Sequence, residues 1–222
     1  MNLRNPVYAA LTGVHAPFAE SRGNVRRYPP AMAPFLALPD VPTEQDWADA
    51  AALLGSGTTG ALMRPALAVP DSFKVELEID LLQFHAPESL PAADPEAVVL
   101  GVDDVPEMLS LVALTDPGPF RSRTIELGTF IGVRRDGELI AMAGTRFALP
   151  GYTEISAVCT HPSYQGQGLA SRLIRAVAAH ITAAGQAPFL HTGGGNTNAI
   201  RLYNSLGFTL TNEMKVTVVE AV

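Results

Sequence analysis

A strand that runs into a glycine turn and then into a long amphipathic helix constrains this chain more than any other feature. Val158-Cys159-Thr160-His161-Pro162 ends an apolar stretch, and Gln165-Gly166-Gln167-Gly168 follows. Leu169, Leu173, Ile174, Val177, Ala178 and Ile181 then recur at helical spacing, up to Gly185. Glycines in such a turn let backbone N–H groups converge, and the helix start adds the positive end of its dipole, so the segment is an anion cradle. A strand-to-helix turn needs glycine for conformation in any case, so Gly-x-Gly by itself does not specify a phosphate. A Walker A loop requires Gly-Lys-Ser/Thr where Leu169 and Ala170 stand, and a dinucleotide fingerprint requires an acid near Phe189, Leu190 and His191. Both are excluded.

The pattern around this unit predicts a mixed α/β architecture. Phe130 to Arg134 and Glu138 to Phe147 read as two strands around Asp136-Gly137, a hairpin signal, and Thr153 to Thr160 reads as a third. Asp103 or Asp104 can cap a helix carrying Pro106, Met108, Leu109, Leu111 and Val112. After the long helix come a short strand at Phe189 to Thr192, a short helix at Ala199 to Leu206, and a final pair of strands at Phe208 to Thr211 and Lys215 to Val219. Earlier, Thr43 with Asp46 three residues on reads as a helix start. Phe73, Val75, Leu77 and Ile79 alternate with Lys74, Glu76, Glu78 and Asp80 as a half-exposed strand. At 222 residues, against a prior of about 150 per domain, one large or two small domains fit. Pro87, Pro91 and Pro95 place the division, giving an N-terminal α/β companion region at 1–95 and the better patterned domain at 96–222.

A net charge of −7 argues against general nucleic-acid binding, which needs a basic face to displace counterions. No apolar run approaches the roughly 18 residues of a membrane span, and the first residues lack a signal-peptide core, so a cytoplasmic protein is expected. One cysteine, Cys159, cannot form an internal disulfide, and no Cys/His spacing suggests a metal site. Its place in a strand reads as core filling rather than as a nucleophile.

Gln165-Gly166-Gln167-Gly168-Leu169-Ala170 is similar to the Arg/Gln-x-x-Gly-x-Gly/Ala pyrophosphate loop of the GNAT superfamily of acyl-CoA-dependent N-acyltransferases. Downstream, Asn196-Thr197-Asn198-Ala199-Ile200-Arg201-Leu202-Tyr203-Asn204-Ser205-Leu206-Gly207-Phe208 resembles that family's Asn-x-x-Ala-x-x-x-Tyr-x-x-x-Gly-Phe segment. The two motifs stand in the family's order, separated by a helix and a strand. The resemblance covers roughly Ala97 to Val219 and is closest to the subgroup with an additional N-terminal region, which can be a degenerate second copy of the fold. Gln165 stands where arginine is commoner, which removes a cation.

The resemblance implies a splayed mixed sheet flanked by helices and acetyl-CoA as acyl donor, with a primary amine, small molecule or peptide, attacking directly in a ternary complex. It places the backbone of Val158, Cys159 and Thr160 along the pantetheine arm. Gln165, Gly166, Gln167, Gly168, Leu169, Ala170 and Ser171 fall around the pyrophosphate, and Asn196 on the arm. Tyr203 is the implied proton donor to the departing thiolate. Glu154 is the candidate general base: an unbulged strand puts it on the face of Val158, and partial burial would raise its pKa. Arg121 and Arg123 are candidates to meet an acidic acceptor. The terminal strands leave a homodimer open, and the rival reading is a non-catalytic acyl-CoA-binding module.

Overall fold

Caps and turn glycines set the element limits along the chain. The computed structural model describes residues 3–88, 90 and 96–222. Its first part contains α1 (Pro6–Leu11), the short strands β1 (Glu20–Arg22), β2 (Val25–Arg27) and β3 (Leu36–Ala37), then α2 (Glu44–Leu54), β4 (Thr59–Arg64) and β5 (Phe73–His85). The remainder supplies β6 (Val98–Leu100), α3 (Val105–Thr115), β7 (Phe130–Arg135), β8 (Glu138–Leu149) and β9 (Tyr152–Thr160). It ends with α4 (Leu169–Ala183), β10 (Ala187–Gly193), α5 (Thr197–Ser205) and β11 (Thr209–Ala221). At the start of α2 the Thr43 hydroxyl accepts from the Asp46 amide at 3.2 Å, and the Asp46 carboxylate accepts from the Thr43 amide at 2.8 Å. Asp136 and Gly137 both take positive φ, 52° and 87°, the twist a two-residue hairpin turn needs between β7 and β8.

Three short strands form a small sheet, β1-β2-β3, and eight form the main one in the order β4-β11-β5-β10-β9-β8-β7-β6. The half-exposed strand read from residues 73 to 84 is β5, and it sits between β11 and β10, antiparallel to both. Residues before and after the expected division at 95 therefore share one sheet. Pro91 and Pro95, on which that division rested, lie outside the described residues. The expected final pair of strands is one strand, β11. Thr211, Asn212 and Glu213 read as a break by polarity, but the ladder absorbs them with a register shift between Leu210 and Asn212. The Asn212 amide donates to Gln83 Oε1 at 2.6 Å, and the Thr211 hydroxyl to the Gln83 carbonyl at 3.2 Å.

Helices cover both faces of the main sheet. The apolar stripe of α4 packs on Ile140, Ile155, Leu190 and Phe208. Its fully buried Leu173 and Ile174 contribute about 1.5–3 kcal/mol each by leaving water. On the opposite face α1 packs against Phe147 and Phe189, and α3 against Met142 and Cys159. The small N-terminal unit is tied on through Trp47, Ala50 and Leu54 of α2, which meet Leu62, Phe73 and Val219. Among the described residues no helix is long and apolar enough to cross a membrane.

Candidate active site

Two bulges on neighbouring strands shape the centre of the sheet. Between the pairs Gly144↔Ser156 and Met142↔Cys159, β9 spends one more residue than β8, and Ala157 takes a φ of 52°. The extra residue re-aims the strand. Ile155 and Val158 consequently both pack on the α4 side, while Cys159 turns under α3. The expectation that Glu154 shares a face with Val158 is thereby overturned, because it assumed an unbulged period of two. A second shift, between Thr145/Ile155 and Ala148/Thr153, puts the extra residue on β8 around Arg146.

Strands β9 and β10 run parallel and pair only from Ala187↔Tyr152 to Leu190↔Ile155. Beyond that point β9 continues to Thr160 on β8 alone and β10 continues to Gly193 on β5 alone, so the sheet opens into a wedge. A cleft of about 830 Å³ occupies this region, lined at its inner end by Glu154 to Val158, His191 to Gly193, Asn196 and Tyr203.

At the inner end lies a buried polar network. Glu154 and Arg146 have side chains 1% and 8% exposed. Arg146 Nε donates to Glu154 Oε2 at 2.7 Å and Arg146 Nη2 to Oε1 at 2.8 Å, a two-pronged pair. The guanidinium lies 4.5 Å from the ring centre of Phe147 and 5.1 Å from that of Phe35. His191 Nδ1 is 2.6 Å from Glu154 Oε1, and its Nε2 is 2.9 Å from Gln83 Nε2. An amide nitrogen only donates, so His191 Nε2 accepts and its proton sits on Nδ1, facing the carboxylate. Gln83 Nε2 also donates to the Leu3 carbonyl at 2.9 Å.

This network corrects the expectation for Glu154. Burial pushes its carboxyl up, but the charge and hydrogen bonds of Arg146, with the hydrogen bond from His191, outweigh burial and hold it at about 2. Such a carboxylate is a weak proton acceptor. Arg146, His191 and Gln83 were not singled out as site residues from the sequence. A cue exists: Arg146 interrupts the apolar run Leu139 to Leu149, and a cation inside a strand of that kind demands a buried partner.

Tyr203 is 7% exposed and lines the cleft, its ring 5.9 Å from those of Phe84 and Phe208. Burial first, then the charge of Glu154, pushes its hydroxyl up to about 12. Asn196 caps α5, its Oδ1 accepting from the Ala199 amide at 3.1 Å, and also lines the cleft. Val158 does too. Cys159 does not present its thiol there: it is buried under α3 and pushed up to about 11 by burial. Thr160 Oγ1 is buried with no hydrogen-bond partner among the described residues.

Gln165 to Gly168 are exposed at the end of β9, outside the cleft itself. Gly166 and Gly168 both have φ of 76°, and a Cβ on either would meet open space. The first backbone bond of the following helix runs from the Arg172 amide to the Gly168 carbonyl. Among the described residues the amides of Gly166, Gln167, Gly168, Leu169, Ala170 and Ser171 have no acceptor. This loop fits a diphosphate by its amides and dipole, since Arg172 is paired with Glu96 at 2.9 Å. Of the two loop arginines, Arg123 is tied to Glu126 by two bonds, at 2.6 and 2.7 Å, whereas Arg121, whose Nη1 donates to the Pro30 carbonyl at 2.8 Å, keeps its charge and lines the cleft.

Residues 130–217 match the family described as FR47-like protein. A solved GNAT-family structure from Novosphingobium aromaticivorans is 42% identical, with a TM-score of 0.91, covering 99% of this chain and 98% of that one. The chain belongs to the GNAT family. A GCN5-related N-acetyltransferase from Kribbella flavida shares the fold at 17% identity, with a TM-score of 0.67 over 100% of this chain and 97% of its own. No curated protein matches. Membership of this acetyltransferase family supports acyl transfer from acetyl-CoA in general terms, and among the described residues no cluster of three or more metal-ligating side chains stands beside it.

The loop offers a controlled test of diphosphate binding. Gly168 and Gly185 have nearly equal φ, 76° and 75°, and a methyl group added to either would meet open space. Alanine at either position costs about 1–2 kcal/mol of conformational energy. Only Gly168→Ala is expected to weaken CoA binding as well, about tenfold by calorimetry; equal CoA affinity in the two variants would remove the loop from the site.

Proposed function

We propose that the chain transfers an acetyl group from acetyl-CoA to a primary amine by direct attack in a ternary complex. The observation that carries this reading is the wedge between β9 and β10, which gathers an undissociated phenol and an imidazole lone pair beside a strand that ends in a loop of free amides. Acetyl-CoA supplies the electrophilic acyl carbon and the leaving thiolate. The amides of Gly166 to Ser171 hold the diphosphate, with Gln165 and Gln167 flanking them, and Val158, Cys159 and Thr160 present backbone to the arm with Asn196 nearby.

The amine nitrogen loses one proton as the amide forms, and the thiolate gains one as it leaves. His191 Nε2 takes the first, displacing the Gln83 donor. Glu154 is a positioning residue that keeps the other imidazole proton on Nδ1, and Arg146 keeps Glu154 charged. Tyr203 supplies the second proton.

The test combines a thermal shift with acetyl-CoA and release of CoA thiol across a panel of amines. The wild-type chain is expected to show both. His191→Asn, whose amide can still donate to Glu154, is expected to lower kcat by about 10²-fold or more. It should keep the acetyl-CoA shift. A shift with no thiol release from any amine would instead describe a CoA-binding module without transfer.

A further inference from the structure

The outer half of the cleft has a different chemistry from its inner end. Strands β4, β11 and β5 contribute two rows by their pairing register: Met63, Val216 and Ile79, then Ala61, Val218 and Leu77. All six line the cleft. Leu77 and Ile79 are 50% and 43% exposed, large aliphatic side chains left open to water along the cleft wall. Pro117, Pro119 and Phe120, following α3, line it too. The wall begins beside the reactive end, since Leu81 pairs with Gly193 at the end of β10. Leu77 is four residues further along β5, roughly 13 Å at about 3.3 Å per residue.

The period of two separates charge from this wall. Lys74, Glu76, Glu78 and Asp80 alternate with the apolar positions and so point to the other face, where Lys215 Nζ lies 3.0 Å from Glu78 and 3.8 Å from Asp80. Among the described residues the charged side chains that line the cleft are Asp116, Arg121 and the mutually neutralising Arg146 and Glu154. Along the stretch of Leu77, Ile79, Val216 and Val218 a second ammonium or a row of hydroxyls would lie against aliphatic side chains that offer no hydrogen-bond partner, which weighs against a polyamine or a sugar amine. An aliphatic or aromatic body loses nothing there and covers open apolar surface.

We infer that the acceptor is a primary amine carried on an apolar body, alkyl or arylalkyl, which lies along Leu77, Ile79, Val216 and Val218 with its nitrogen towards His191. This rests on the acetyl-transfer reading and adds the substrate class. The occupant is a small molecule rather than a second copy of the chain because the wall continues directly into the end of the cleft where His191 and Tyr203 stand, a depth a flat partner surface does not reach.

The experiment measures kcat/KM by thiol release for n-alkylamines from propylamine to octylamine, with 1,5-diaminopentane and 5-aminopentanoate as chain-length controls carrying a second charge. A methylene covered on one side gains about twofold, half the free energy of full burial, so octylamine should exceed propylamine about 30-fold. Hexylamine should exceed both charged controls at least tenfold. Ile79→Asp and Leu77→Asp should bring the octylamine to propylamine ratio below about fivefold, and Leu77→Ala should lower it by less. Both positions are half-exposed, so melting temperatures should stay close to wild type, which keeps loss of folding out of the comparison. Equal rates along the alkyl series, or preference for either charged control, overturn the inference while the acetyl-transfer reading stands. Absence of thiol release with every amine overturns that reading itself. A dimer in sedimentation that Ile79→Asp dissociates would assign the wall to an interface between copies and overturn the inference as well.

Discussion

Replacing Arg146 with alanine is expected to destabilise the fold by about 3–5 kcal/mol, the range for removing one partner of a buried ion pair. The guanidinium supplies two of the three hydrogen bonds to the Glu154 carboxylate and most of the charge that balances it, and it fills the space between Phe35 and Phe147. Without it, only the His191 hydrogen bond opposes burial, and the Glu154 carboxyl rises. The pH dependence gives the diagnostic. In the wild-type chain Glu154 is held at about 2, below its ordinary 4.5, so the unfolded state binds the proton more readily. Its contribution is therefore complete above about 4.5 and disappears as pH falls towards 2. In Arg146→Ala the sign reverses: the folded state holds the proton more tightly, and stability falls as pH rises through the new value. Urea midpoints at pH 3, 5 and 7 read both effects. Arg123→Ala, which opens an exposed pair with Glu126, should leave the midpoint close to wild type. The double variant Arg146→Met with Glu154→Leu should recover much of the lost stability, because a buried pair exchanged for apolar groups of similar volume is often neutral or better. It should not recover turnover, since His191 then has no carboxylate to fix its tautomer. A loss in Arg146→Ala as small as that in Arg123→Ala would falsify this account of the pair.

What the sequence made legible follows the range of the interactions involved. The glycine turn, the α4 stripe, the Asp136-Gly137 hairpin and the Thr43 cap each depend on residues within a few positions of one another, and all four stand where local chemistry puts them. The strand β5 was also legible as a half-exposed alternation, but its place between β10 and β11 was not. That place depends on pairing with strands more than a hundred residues away. The site divides in the same way. Asn196 and Tyr203 come from a contiguous motif, and both line the cleft. Glu154 was read with the wrong environment because a single extra residue at Ala157 changes which side chains share a face, and because its partner Arg146 sits on β8 behind a second bulge. Gln83 and His191 meet only after β5 enters the sheet, so Gln83 in its run of leucines carried no signal beyond being polar where its neighbours were apolar.

Substituting phenylalanine for Tyr203 is expected to lower kcat by about 10²-fold or more, the lower range of a general acid's contribution, and to change KM for acetyl-CoA by less than about twofold. The substitution isolates the hydroxyl. The ring keeps its contacts with Phe84 and Phe208, so the melting temperature should move little. At about 12 the hydroxyl is undissociated across the working range, and it is therefore always available as a donor. The same elevation limits how it can act. A free thiol ionises near 8.5, so a fully formed thiolate is too weak a base to take this proton, and transfer must accompany the growth of negative charge on sulfur as the C–S bond breaks. Two consequences separate this role from a packing role. The fractional loss in Tyr203→Phe should be the same from pH 6 to pH 9, because the hydroxyl does not titrate there. It should also shrink for acyl donors whose leaving thiol is more acidic, since a better leaving group needs less help from a donor. If the variant loses acetyl-CoA affinity and thermal stability in step with its rate, the hydroxyl serves binding and folding rather than proton transfer, and the proton reaches sulfur from solvent.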